Sequence, residues 1–458
     1  MLEPVSLTTL TIYLPISGPI TLFPQVTRCL NGTLPDLGYA YDPLDYTLST
    51  LWLKDGGKIT VLPGTAIDFR FDWYVGFLLD QGTAFISQGT PNKPITYAPV
   101  SLVQEGPFVR QSSFPGLMLP FVPNYWPFPD FNPDGSPPPS LDFRFSNFYL
   151  NSGLSHHFWS GMGAIEMFEQ YWPLADVCLA ASISSAMSLQ IRDCNLHSGW
   201  FNLGELDGFK AAAVCKGGTV IPSSVSLMNN LFDRVNCNFD PDTGPTYWHG
   251  PYADATVDLS LTATNNLFRG GWLFLEPVSA NTPKWAFVNN LLDGVTVALD
   301  GSQPFYYDYN GYYPQEAINK LNGSGGANDV SLDQAPPYQT SSLGSGSFYL
   351  PDTTPLHGAG SCSPAEVGLF HYTTRSDQQK EGTSEKVNIG LHYVALETTG
   401  ATAGQPKDTD MDGIPDYVEN WHGDGDNDGQ GNRLHTGDET SWTTQYTVAG
   451  VYDPTSSI

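Results

Sequence analysis

The chain has 458 residues, with 47 Asp and Glu against 19 Lys and Arg, a formal net charge of −28. Hydrophobic residues make up 40%, which is enough for a core and excludes wholesale disorder. The charge excludes nucleic acid and anionic membrane as natural partners, because phosphate binding needs the opposite sign, and makes cations the fitting ligands.

The N-terminus, MLEPVSLTTLTIYLP, lacks a basic start and is broken by Glu3 and Pro4, so it is a poor signal peptide. Residues 1–50, rich in Pro and Thr, read as an N-terminal entry or cap. Residues 51–350 read as stacked coils. Within them, KITVLPGTAIDFRFDWYVGFLLDQGTAFISQGTPNKPITYAPV (58–100) alternates short apolar runs with Gly-containing corners. Such runs suit strands and turns, and they are too short for the hairpins of a sandwich. A Pro-rich excursion at 115–140 carries nine prolines, which oppose regular ladders. Helical periodicity is confined to Gly161–Tyr171, Pro314–Leu321 and Pro415–Trp421. No segment has the about 20 consecutive apolar residues that span a bilayer.

Internal repetition sets the architecture. LMNNLFDR from Leu227, TATNNLFRGG from Thr262 and FVNNLLDG from Phe287 share one block, with weaker copies at FRFSNFYLNSG (from Phe143) and IRDCNLHSG (from Ile191). Aligning Asn147, Asn195, Asn230, Asn266 and Asn290 leaves gaps of 48, 35, 36 and 24 residues. A β-solenoid coil takes roughly 20 to 25 residues plus inserted loops, so each gap fits one coil, or two for the longest. Cys194, Cys215 and Cys237 recur at 21 and 22 residues, as stacked interior positions would; Cys29, Cys178 and Cys362 complete the six. No CxxC motif occurs, so cysteine usage points to buried thiols or one or two disulfides and does not fix the compartment. The expected fold is all-β: a right-handed, single-stranded parallel β-helix of roughly ten coils. Capping segments and an acidic calcium-loop tail complete it.

Several pieces resemble a family of large secreted bacterial proteins, common among Verrucomicrobia and their relatives, that carry right-handed β-helices. They are FISQGTP (85–91), the NNLF repeats, YDYNGYYP (307–314), FYLPDTTPLHGAGS (348–361), VGLFHYTTRSDQQKEGTSEKVNIGLHYVAL (367–396) and DTDMDGIPDYVE (408–419). The resemblance covers about nine-tenths of the chain and implies the fold and an extracellular or cell-surface location, but no settled activity. It makes residues 351–400 a C-terminal cap, in which His371 and His392 are structural. Residues 401–458 are then a calcium-loop linker and the start of a following segment. The last stretch, SWTTQYTVAGVYDPTSSI, ends mid-pattern, so the chain is expected to be a piece of a longer protein.

DTDMDGIPDYVE fits a twelve-residue calcium loop position by position. Asp408, Asp410 and Asp412 take positions 1, 3 and 5, and Gly413 allows the turn at 6. Ile414 offers its carbonyl at 7, Asp416 stands at 9 and Glu419 at 12. A hard cation wants six to eight oxygens around one point, and this spacing supplies them. A second run places Asp424, Asp426 and Asp428 in the same register, with His435 in place of the acidic position 12. Such tandem loops resemble the calcium-binding repeats of thrombospondin-like and dockerin-like segments, which stiffen linkers.

Three residues past the anchor Asn, the alignment puts Ser198, Asp233, Arg269 and Asp293 in one column. Asp233, Arg269 and Asp293 form either a catalytic row of acid, substrate clamp and base, or an inter-coil ion-pair ladder, the plainer reading. His156 and His157, near Arg144 and Glu166, are a second catalytic candidate, and Trp248–Gly250 beside Asp240, Asp242 and Asp254 is a third. No pectate-lyase-like or polygalacturonase-like signature is present, nor Gly-x-Ser-x-Gly, His-Glu-x-x-His or a P-loop. Trp73, Tyr74, Tyr125, Trp126, Trp159, Tyr171, Trp172, Tyr247, Trp248, Trp272 and Trp285 lie in or beside loops, where a row of rings could grip a polysaccharide or pack a core. Three functions follow: an extracellular surface, adhesion or glycan-engaging module stiffened by calcium; a polysaccharide lyase or glycoside hydrolase on the solenoid flank; or a structural stalk joined to other copies or neighbouring domains.

Overall fold

The computed structural model describes residues 8–10, 16–25, 44–48, 51–69, 77–79, 82–98, 117–119, 137, 139–149, 177–181, 188–203, 222–239, 258–277, 285–299, 304–344, 346–382 and 384–419. Three sheets of parallel strands dominate, and no α-helix occurs among the described residues. Each coil visits the sheets in turn. Pro222–Met228 lies in a nine-stranded sheet, Leu231–Asp233 in an eleven-stranded sheet and Asn236–Phe239 in a six-stranded sheet. The next coil repeats the path with Asp258–Thr264, Leu267–Arg269 and Trp272–Leu275, each paired parallel to its predecessor. Among the described residues, the nine strands from Pro19–Leu22 to Tyr306–Asp308 mark nine coils. The molecule is a parallel β-helix.

Period-two patterning builds it. In Ser140–Arg144 and Ser188–Arg192 alternate residues are buried, sending Leu141, Phe143, Leu189 and Ile191 inward. In register, these residues form continuous inner columns. Along the eleven-stranded sheet the inner column includes Tyr97 stacked on Phe148 at 4.8 Å and Phe232 stacked on Phe268 at 4.6 Å. Trp285, a candidate sugar-gripping ring, is 2% exposed because its register with Leu261 places it in the core.

The ladders start earlier than a boundary at residue 51, since Thr8–Leu10, Pro19–Leu22 and Tyr46–Leu48 all pair with later coils. They end at Val330–Ser331. The Pro-rich excursion contains a rung: Leu117–Leu119, which has no proline of its own, pairs with Val177–Ala181. Pro314–Leu321 is not α-helical. It holds the 3₁₀ turn Ala317–Asn319 and leads into a second, Leu321–Gly323. Leu321 is fully buried in the main core, and Asn319 Nδ2 donates to the Val295 carbonyl at 2.6 Å, so these turns close the last coil.

Residues 351–419 run as a strap along the flank. Ser361 and Gly390 bond Asn289, Asn388 bonds Asn265, His392 bonds Asn229, Gly368 bonds Arg192, and Tyr372 bonds Asp193 and Arg144. Asn92, three coils before Asn229, bonds Gln405. The cap expected from this segment is therefore lateral. Its apolar side chains explain why: Leu356, Ile389 and Leu391, with Leu350 just before them, bury the outward Leu231, Leu267 and Leu291 of the eleven-stranded sheet.

Candidate functional site

Two asparagines per repeat do different work at the corner between the nine- and eleven-stranded sheets. The second Asn points inward. Asn230, Asn266 and Asn290 each accept the amide and backbone N–H of the neighbouring corner or pass them on: Asn230 Nδ2 to Asn266 Oδ1 at 3.0 Å, Asn266 Nδ2 to Asn290 Oδ1 at 2.9 Å and Asn290 Nδ2 to Asn310 Oδ1 at 3.1 Å. The other amide hydrogens reach the carbonyls of Ile191, Leu227 and Ala263. The ladder is the expected amide stack, buried and saturated.

The first Asn adopts the left-handed conformation, with φ of 55° at Asn229, 55° at Asn265 and 60° at Asn289. Its side chain turns outward to the strap. Asn229 Nδ2 donates to the His392 carbonyl at 2.9 Å while its Oδ1 accepts from the His392 N–H, and Asn265 Nδ2 donates to the Asn388 carbonyl. One coil earlier, Asp193 occupies this position and collects Arg144 Nε, Arg192 Nε, the Tyr372 hydroxyl and Asn229 Nδ2. Burial alone would raise the Asp193 carboxyl, but the Arg192 and Arg144 guanidiniums and the Asn229 and Tyr372 hydrogen bonds outweigh it and hold the group below its ordinary value.

The weaker repeats align one residue differently from the Asn-to-Asn match. Asn195 pairs with Leu231 and with Asn147, so Cys194 and Ser146 fill the inner corner. A small polar group suffices there, which hides the register when Asn alone is followed. Ser146 to Cys194 is then one coil of 48 residues, followed by coils of 36, 36, 24 and 20. The cysteine spacing does not mark stacking either. Cys194 sits in this corner, whereas Cys237 lies inside the six-stranded sheet between Phe201 and Leu273. Both are buried free thiols, and Cys215 lies outside the described residues.

The same shift puts His197, not Ser198, beside Asp233. The column reads Tyr149, His197, Asp233, Arg269, Asp293 and Tyr313. Arg269 Nη1 bonds Asp233 Oδ1 at 2.7 Å and its Nε lies 3.9 Å from Asp293 Oδ2. Asp233 also meets Arg234 at 3.3 Å and His197 Nδ1 at 3.7 Å, while the Tyr338 hydroxyl donates to Asp293 at 2.8 Å. Acid, clamp and base thus pair with one another, and Arg269 lies over the Phe348 ring at 5.4 Å. Burial raises the Asp293 carboxyl from its ordinary value against Tyr338 and Arg269, and burial lowers His197 against Asp233. The arrangement is an ion-pair ladder.

The acidic loop gathers as its spacing requires. One carboxylate oxygen from each of Asp408, Asp410 and Asp412 lies within 4.8 Å of the others, a group that could hold a metal ion. Gly413 turns at φ 95° and donates its N–H to Asp408 Oδ2, Asp412 N–H bonds Asp410, and Ile414 N–H bonds Asp412. Asp408 Oδ1 and Asp410 Oδ2 are buried with no hydrogen-bond donor. Burial, then the charges of Asp412 and Asp408, raises the Asp410 carboxyl. A cation would relieve all three. Glu419 is buried outside this cluster. Asp416 departs from the expected ligand set: its oxygens accept the Thr409 N–H at 2.6 Å and hydroxyl at 2.7 Å, and it faces Lys380 and His371.

His156, His157, Glu166, Asp240, Asp242, Trp248, Asp254, Asp424, Asp426, Asp428 and His435 lie outside the described residues. Nine of the eleven candidate aromatics do as well, which leaves Trp272, 59% exposed on the six-stranded sheet, and the buried Trp285. No protein-family model, curated protein or solved structure matches this chain. No helix among the described residues is long and apolar enough to cross a membrane.

Proposed function

We propose that this chain is a non-catalytic extracellular β-helix module of the Verrucomicrobia-type surface proteins, an adhesion or glycan-engaging element stiffened by calcium. The observation that carries the reading is the acidic loop, with carboxylates of Asp408, Asp410 and Asp412 converging at the end of a strap fastened along the coils. Oxygen donors without nitrogen or sulfur suit a hard cation, and calcium tolerates such flexible shells. The Ile414 carbonyl and Glu419 would complete the shell by position, and Asp424, Asp426 and Asp428 would extend the acidic tail. The self-paired Asp233–Arg269–Asp293 column speaks for a module rather than a glycoside hydrolase or lyase. Its partners would be polysaccharide, other copies, or neighbouring domains of a larger surface protein.

Calcium titration by calorimetry, followed by thermal unfolding with calcium and with chelator, tests the reading. Binding in the weak extracellular range, about 10⁻⁴ to 10⁻³ M, is expected. Calcium should raise the unfolding temperature, and Asp410→Ala should abolish both effects. Absence of calcium binding would remove the stiffening role. Product release from any member of a panel of acidic and neutral polysaccharides would replace the module with an enzyme.

A further inference from the structure

Behind the acidic loop, where Asp416 turns away from the three converging carboxylates, lies a second cluster. Lys380 Nζ stands 3.8 Å from Asp416 Oδ2 and 3.3 Å from His371 Nδ1, and His371 Nδ1 is itself 3.8 Å from Asp416 Oδ2. The three are enclosed: side-chain exposure is 18% for Lys380, 1% for Asp416 and 6% for His371. The Phe370 ring lies 5.0 Å from the Lys380 amine. We propose that Lys380 and Asp416 condense spontaneously into an intramolecular isopeptide bond, with His371 as the proton carrier.

Each element the reaction needs is present. Condensation requires an unprotonated amine, an electrophilic carboxyl carbon and a path for protons. Burial, with Lys407 adding to it, pulls the Lys380 amine below its ordinary value against the attraction of Asp416. His371 Nδ1 faces both the Lys380 amine at 3.3 Å and Asp416 Oδ2 at 3.8 Å, so one ring nitrogen lies on the path a proton takes from the amine to the departing oxygen. Thr409 N–H bonds Asp416 Oδ1 at 2.6 Å, where negative charge develops during attack, and the Thr409 hydroxyl bonds Oδ2 at 2.7 Å, the oxygen that departs. Enclosure by the fold supplies the effective concentration that an amine and a carboxylate lack in water.

The atoms balance without a co-reactant. The ammonium of Lys380 gives one proton to Asp416 Oδ2, leaving a neutral amine and a neutral carboxyl. Nζ attacks Cγ and the carbonyl electron pair moves to Oδ1, held by the Thr409 N–H. His371 Nδ1 takes a proton from Nζ and passes it to Oδ2, which leaves as water while the Oδ1 carbonyl re-forms. Three protons enter with the ammonium; one stays on the amide nitrogen and two leave in the water. The product ties the Lys380 stretch of the strap to its acidic-loop end whether or not a cation is bound, so the proposal stands apart from the calcium reading.

Intact-mass spectrometry of the purified, denatured full chain tests it. The expected mass is one water below that of the sequence, and proteolysis should release a branched peptide joining the segments around Lys380 and Asp416. Lys380→Arg, which keeps the positive charge, and Asp416→Ala should each restore the full mass expected for their sequence. A wild-type mass equal to its sequence overturns the proposal. So does a missing water that persists in Lys380→Arg, since that would place the dehydration elsewhere, as in a succinimide at Asp412–Gly413.

Discussion

Asn266 is the residue on which one coil's closure most plainly rests. Its amide bonds the Leu227 carbonyl and Asn290, and its Oδ1 accepts both the side chain and the backbone N–H of Asn230. Replacing it with Ala strands several buried groups, each worth about 1 to 3 kcal/mol. Asn266→Ala should therefore cost about 3 kcal/mol or more, read from the denaturant midpoint. Arg269→Ala makes the contrasting case. The side chain is 41% exposed and Asp233 keeps Arg234, so the loss should stay within about 1 kcal/mol. A loss several times larger would mean that this ladder carries more than an exposed ion pair. Asp193 sets an acid limit. Its carboxyl is held low in the folded state, so its stabilisation is complete above the unfolded value of about 3.9 and fades as pH falls through and below it. Unfolding followed from pH 5 downward should show this loss, and Asp193→Asn should flatten it.

The strap and the terminal turns are the elements that adapt a repetitive ladder to a finite protein. Parallel stacking leaves the outward Leu231, Leu267 and Leu291 exposed unless something apolar covers them, and the strap does so. Its polar contacts are keyed to Asn229, Asn265 and Asn289, whose left-handed backbone glycine also accepts. Changing all three to Gly should preserve the corner but loosen the strap, seen as faster amide exchange across residues 387–394 with little change in the inner strands. Equal acceleration throughout the coils would contradict this division. At the end of the ladder, Leu321→Ala should cost about 2 to 5 kcal/mol, because a fully buried side chain of the main core is removed where no further coil can collapse onto it.

Across the whole molecule, a solenoid would behave as a row of neighbours coupled only pairwise. The strap changes that by touching successive coils from Asn289 back to Asn92. Unfolding should accordingly be more cooperative than a bare ladder, and the triple Gly variant should broaden the denaturant transition. The net charge of −28 adds self-repulsion that a bound cation at the acidic loop would relieve, and the calcium and isopeptide experiments bear on that same end of the chain.

The all-β class, the parallel coils and the acidic loop can be read from the residues alone. Period-two burial, the NNLF blocks and the Asp408–Asp410–Asp412 spacing are local patterns whose physics acts within one strand or one turn. The rest depends on contacts made only in the folded chain. Cys194 and Ser146 stand where Asn was expected, because a corner needs a small polar group that bonds inward and several residue types supply one. The two asparagines of each repeat look alike in sequence, yet one faces the next coil and the other faces a strap 72 to 163 residues away. Asp416 fits a metal position by spacing but is claimed by Thr409, Lys380 and His371, two of them distant in sequence. Such choices rest on which distant groups arrive at a side chain, and only the folded chain brings them there.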